Sequence, residues 1–294
     1  MPTEPSTRLH GFVASAARVA VLLRRGPSKR VRLIRWDLTT DTFEPGQWLV
    51  GRVHEDRCGL SPDGRLFVYF AGKQGTALGT FTAISRPPFF TALALWPDGS
   101  TWGGGGFFET SRSLVLRYGA VPRELNDGAS LPSSFEVTNL LDCRARRGEN
   151  NLLETHGWSR ESPGGHGDFR PRDEVRAGEM RLVFDPPWVD VRPCPIDADV
   201  LLRRRTIGMF EVNGPGVVRT WELVTKRRTT TVESHVEPLG PLDWADWDLD
   251  GSLLYASGGV LFRRRLGGDT RELADFRRDR FARIPPTPLA RRWP

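Results

Sequence analysis

Three observations in this sequence predict an all-β protein whose strands form small sheets around a ring. Apolar runs are short, rich in β-branched and aromatic residues, and bounded by Gly, Pro or Asp, as strands are. The 31 Gly and 23 Pro among 294 residues are too many for a helical bundle and suit a fold rich in turns. A strand, an acidic-glycine turn and another strand recur at Gly59–Phe70 (GLSPDGRLFVYF), Leu93–Trp102 (LALWPDGSTW) and Trp247–Ala256 (WDLDGSLLYA). Gly64 and Gly99 are 35 residues apart and Gly99 and Gly251 are 152 apart, four steps of 38 or three of about 51. A period of about 40–50 residues built from short strands is the sign of a propeller. The predicted fold is a single β-propeller of about five blades, with six possible, each a four-stranded antiparallel sheet.

Taken in order, the strand candidates are Arg18–Arg25, Val31–Trp36, Arg65–Ala71, Thr91–Trp96, Ser113–Tyr118, Arg181–Asp185 and Val217–Val224. Several are apolar at successive positions, which fits strands covered on both faces. Asp and Gly suit the turns, since Asp bonds local backbone and Gly takes φ > 0 without strain. Ser257-Gly258-Gly259 and Asn213-Gly214-Pro215-Gly216 each separate two strand-like runs as hairpin turns would. The Ala-rich run Leu9–Leu23 is read as strand over helix. Thr270–Ile284 is read as a final strand running into a short helix.

These elements give an N-terminal extension over 1–9, a propeller over 10–276 and an Arg/Pro-rich tail over 277–294 packed along the outside. The blades fall at 10–53, 54–88, 89–142, 155–232 and 242–276, the fourth overlong enough to hide a sixth. Residues 144–178 are polar, Gly-rich and poor in strand signals, and are read as an inserted loop.

The turn segments SPDGRLFVYF, WPDGSTW and DLDGSLLYA resemble the first-to-second strand turn of TolB-like and WD-type β-propeller repeats. That resemblance implies four-stranded blades covering one another's faces. It implies no activity, because such rings serve as scaffolds, ligand binders and enzymes alike.

Arginine supplies all 42 basic residues except Lys29, Lys73 and Lys226, against 36 acidic residues. The interspersed acids weaken a case for dedicated nucleic-acid binding. No run approaches the roughly 18 apolar residues of a membrane span, and Val19–Leu23 is too short, with its arginines on the wrong side, for a secretory signal. Cys58, Cys143 and Cys194 are odd in number and in no CxxC pair, so neither a disulfide framework nor a zinc knuckle is expected. A reducing cytoplasm is the expected compartment.

Candidate chemistry is sparse. His54-Glu55-Asp56 with Cys58 is the densest group of possible metal ligands, but neighbours in an extended segment point to opposite faces, and no metal or other cofactor is expected. Asp243, Asp246, Asp248 and Asp250 beside Trp244 and Trp247 could serve a sugar site, although the DLDG turn uses two of them locally. Gly103–Gly106 lacks the lysine of a P-loop and reads as close strand packing. No catalytic residue is assigned. The candidate binding residues are Trp158 and Trp188, expected to be accessible beside the insertion, with Arg203, Arg205, Arg263 and Arg265 from two arginine triplets. The expected function is a non-enzymatic, protein-binding scaffold working through ring-face loops and the insertion. The alternatives are a saccharide-active hydrolase or lyase and an arginine-based nucleic-acid or polyanion binder.

Overall fold

The computed structural model describes residues 7–26, 29–73, 75–101, 103–118, 124–147, 157–171, 180–210, 217–227 and 233–294. Five small sheets follow one another along the chain as the blades of a ring. The first is the meander β1 (Arg8–Val13), β2 (Val19–Arg25), β3 (Arg30–Asp37) and β4 (Thr42–Val50). The run VAVLL in β2 is buried on both sides, because both faces of this sheet are covered. Val21, Leu23 and Leu33 pack against Phe67 and Tyr69 of the second blade. Ala20, Leu22 and Trp36 pack against Trp244, Leu254 and Leu261 of the fifth. Each large apolar side chain so enclosed is worth about 1.5–3 kcal/mol, and the second group closes the ring.

The second blade is β5 (Arg52–Val53), β6 (Gly59–Leu60), β7 (Phe67–Lys73), β8 (Gly79–Ser85) and β9 (Ala92–Pro97). The third is β10 (Gly106–Thr110), β11 (Ser113–Leu116) and β12 (Glu136–Asn139), with β12 parallel to β11. Helix α1 (Leu140–Arg147) follows, and its buried Cys143 packs on Phe107 and Val115. The fifth blade is the meander Trp244–Trp247, Leu253–Ser257, Val260–Arg264 and Thr270–Asp275, numbered β19 to β22.

The fourth blade departs most from the expected pattern. It holds β13 (Ser159–Ser162), β14 (Gly167–Pro171), β15 (Met180–Cys194), β16 (Asp197–Phe210), β17 (Val217–Arg227) and β18 (Glu233–Pro238). Cys194 Sγ donates to the Gly251 carbonyl at 3.8 Å, so the β15–β16 turn lies beside the β19–β20 turn. β15 therefore runs in step with β19 as its blade's inner strand, and β13 adds a strand on the axial side of β15. β15 and β16, at 15 and 14 residues, continue well past the ring and are flanked there by β14 and the start of β17.

Each of the seven strand-like runs overlaps a strand over most of its length, and the Gly258-Gly259 hairpin forms with φ of 55° and 84°. Four expectations are corrected. The run Thr91–Trp96 supplies the outer strand of the second blade rather than the start of the third, so Pro97-Asp98-Gly99 joins blades while the other two turns lie within them. The expected insertion 144–178 contains β13 and β14, polar strands that the apolar-run criterion passes over. The overlong fourth segment holds extra and lengthened strands, not a sixth blade. No helix follows Thr270–Asp275, which is strand, and a single 3-10 turn at Leu289–Arg291 lies near the terminus. The turn 213–216 and Trp102 lie outside the described residues.

The tail ties blades together. Asp279 pairs with Arg32 at 2.7 Å, Gln47 donates to the Ile284 carbonyl at 3.1 Å, and Trp293 meets Phe135 of the third blade at 5.0 Å between rings. Among the described residues no helix is long and apolar enough to cross a membrane.

Candidate functional site at the ring centre

The inner strand of the second blade leaves its ladder halfway along. β5 pairs with Ala71 and Gly72, and β6 with Phe67 and Val68, which leaves Tyr69 and Phe70 opposite a 3-10 turn at Glu55–Arg57. Cys58 N donates to the Glu55 carbonyl at 3.1 Å, and the Cys58 thiol to the His54 carbonyl at 3.1 Å. The glycine run lets the third blade approach this turn. A Cβ on Gly104 (φ +84°) would lie 2.1 Å from the Phe70 ring, and one on Gly105 (φ +88°) 2.3 Å from the Arg57 carbonyl.

From this turn the second blade reaches three others. Glu55 pairs with Arg25 of the first blade. The Asp56 carbonyl accepts from Arg117 at the end of β11 at 2.8 Å. Asp56 Oδ1 accepts from Arg219 Nη2 of β17 at 2.6 Å, joining the second and fourth blades, which are not neighbours in the ring. Arg219 is on the same sheet face as Arg204, one strand away. Arg204 Nε donates to the buried Asp190 at 3.1 Å and its guanidinium lies 4.3 Å above Trp158. Arg160 of β13 also pairs with Asp190, and Arg192 of β15 pairs with Asp246 of the fifth blade.

Burial and these charges set the proton affinities. Burial pushes His10 down to about 4 against the pull of Glu55 and Asp56, so its imidazole is neutral at pH 7. Burial, with Arg52 and Arg57, brings His54 to about 4. Burial alone would raise Asp56, but Arg219, His10 and Arg204 together hold it below the usual carboxylate value. Arg204 is lowered by burial and then by the nearby Arg219 charge. Burial raises Asp246, despite Arg192.

The sequence-derived candidates fare unevenly. Trp158 is buried against Trp221, not accessible as expected, because it joins the apolar cluster between the fourth and fifth blades. Trp188 is half-buried, with Arg160 4.6 Å above its ring. Arg203 and Arg205 share Glu222, at 3.4 and 3.6 Å. Arg263 is buried and bonds Asp41 and Asp248, whereas Arg265 is exposed. The four aspartates of the fifth blade act structurally. Asp248 and Asp250 take arginines and turn amides, Asp246 takes Arg192, and Asp243 accepts from Leu9 N and Gly259 N, both at 3.4 Å.

The ring centre includes Glu55 and Asp56 of the HED segment, which pair with Arg25 and Arg219. His54 stacks near Phe70 at 5.0 Å, burial pushes the Cys58 thiol up, and the described residues contain no group of three metal-ligating side chains. His10, Arg117, Asp190 and Arg219 carry no sequence signal. Arg204 had one, since strand alternation puts the middle residue of the triplet on the face opposite Arg203 and Arg205.

No known family matches this chain, and no curated protein does. A solved structure of an uncharacterized protein from Listeria monocytogenes EGD-e is similar over 94% of this chain and 84% of its own, at 12% identity and a TM-score of 0.31.

Proposed function

We propose that this protein is a non-catalytic propeller that binds another protein through the extension of its fourth blade. The observation that supports this reading is the apolar surface on the lengthened strands. Leu182, Met209 and Val217 stand opposite one another on β15, β16 and β17, and therefore on one face. Met209 is 41% exposed, Ile207 is 37% exposed, and Leu182, Phe184, Val217 and Trp188 are half-buried. An apolar patch with an arginine over one of its aromatics, Arg160 over Trp188, has the composition of a protein interface.

The rival readings have less support. A saccharide hydrolase needs a carboxylic acid and a carboxylate free to act on substrate, whereas the aspartates of the fifth blade are bonded to arginines and backbone amides. A nucleic acid or other long polyanion needs a surface array of unpaired arginines, whereas Arg203, Arg205, Arg263 and Arg264 each have a carboxylate. The three cysteines are free and buried, which favours a reducing compartment such as the cytoplasm.

The test is cross-linking in cells followed by purification of the wild type and of an Ile207→Ser/Met209→Ser variant. We expect one partner at a fixed stoichiometry with the wild type, reduced at least about tenfold in the variant at an unchanged thermal midpoint. Equal recovery with both proteins overturns the proposal.

A further inference from the structure

Three guanidiniums meet two carboxylates beside the face of the fourth blade that packs against the fifth. Arg160 and Arg204 share Asp190, and Arg219 takes Asp56 from across the ring. Arg204 and Arg219 are diagonal neighbours on β16 and β17, since Arg204 stands opposite Trp221. Their backbones are therefore about 7–8 Å apart.

The two carboxylates are held differently. The Asp190 side chain is 5% exposed and lies in a ladder strand, so it is fixed. Asp56 is 44% exposed and stands on a turn that has left its ladder, so it can leave Arg219 without moving a strand. Once it does, three guanidiniums face Asp190 alone, and two positive charges are uncompensated. Donors are also in surplus. Arg219 Nε and the indole N–H of Trp221, two residues along the same strand face, are buried without a hydrogen-bond partner. Buried donors of this kind ordinarily find acceptors. Two positive charges and spare donors along one strand face match a single dianionic group with several oxygens, not a lone carboxylate.

We propose that the ring centre binds a small phosphoryl-bearing dianion between Arg204 and Arg219, with Asp56 as the internal group that it displaces. This site is independent of the apolar patch on the strand extension, and either can exist without the other. Its central consequence is competition, because removing the Asp56 charge should favour the ligand.

The probe is inorganic phosphate, titrated into the full chain by calorimetry at constant ionic strength, with acetate and chloride as comparison anions. We expect saturable binding of one phosphate per chain and no saturation by acetate or chloride. Asp56→Asn should bind phosphate about threefold or more tightly, and Arg219→Met about tenfold or more weakly. Folding of each variant is checked by its far-ultraviolet circular dichroism. Because Asp56→Asn should gain affinity, a damaged fold cannot mimic the expected result. The proposal is overturned if phosphate does not saturate, if acetate binds equally well, or if Asp56→Asn binds no better than the wild type.

Discussion

Arg18 and Asp248 are 230 residues apart in sequence, and Arg18 Nη2 donates to Asp248 Oδ2 at 2.7 Å. The pair joins the β1–β2 turn of the first blade to the β19–β20 turn of the fifth. Arg263 Nη1 donates to the same oxygen, also at 2.7 Å, and its other nitrogen reaches Asp41 at 2.8 Å. The Asp248 side chain is fully buried and that of Arg263 is 9% exposed.

Removing the central anion of this latch should cost more than removing the latch. Asp248→Ala leaves a buried guanidinium short of a partner, which typically costs about 3–5 kcal/mol. The double variant Asp248→Leu/Arg263→Leu should lose less than the sum of its single changes. Equilibrium unfolding in urea measures both, and additive losses would refute the shared role.

The tail should behave as a strap. Deleting residues 281–294 removes the Phe281 ring, 5.9 Å from Trp48 and 4.5 Å below Arg30, together with Trp293 against Phe135. Losing two partly buried aromatics should cost about 2–4 kcal/mol. We expect a lower thermal midpoint with the strand signal in circular dichroism intact at 20 °C.

Gly64 and Gly251 occupy corresponding turns with φ of 71° and 82°. A Cβ would come within 2.9 Å of Val19 in the first case and 2.4 Å of Ile196 in the second. Gly64→Val and Gly251→Val should each destabilise by about 1–3 kcal/mol from backbone strain alone, with Gly64→Val the worse, because Val19 Cβ is fixed to its strand whereas the exposed Ile196 side chain can turn away. Unchanged thermal midpoints in both variants would contradict this role.

Acid should weaken the fold through its buried imidazoles. His10 and His54 are depressed to about 4 in the folded chain from 6.5. The unfolded chain therefore binds more protons between those values, and stability falls as pH drops from about 6.5 to about 4. The slope is at most about 1.4 kcal/mol per pH unit for each group. His10→Gln/His54→Gln should flatten that window in urea titrations, and an unchanged slope would assign it to carboxylates.

How much of this was legible in the sequence depends on the range of the interaction. The runs VAVLLRR and RLFVYFA declare strands because β-branched and aromatic residues fit a pleated, doubly covered surface. SPDG and DLDG declare turns because their hydrogen bonds are local, such as Leu66 N to Ser61 Oγ at 2.9 Å and Ser252 N to Asp250 Oδ1 at 2.9 Å. WPDG has the same local chemistry but joins two blades, and the motif does not encode what it connects. SRES and GDFRP form strands although they lack an apolar run, because β15 offers them a backbone edge.

By itself, then, the sequence determined an all-β ring, most of its strands and the glycines at its turns, since these follow from periodicity and backbone freedom within a few residues. Only the tertiary structure decided that Asp56 meets Arg219, that Asp190 serves two arginines, and that Trp158 is buried while Trp188 is half-open. These facts depend on which blades face each other across the axis. Charges more than 150 residues apart carry no sequence mark of their pairing, because Coulomb attraction selects partners by distance after the ring has closed.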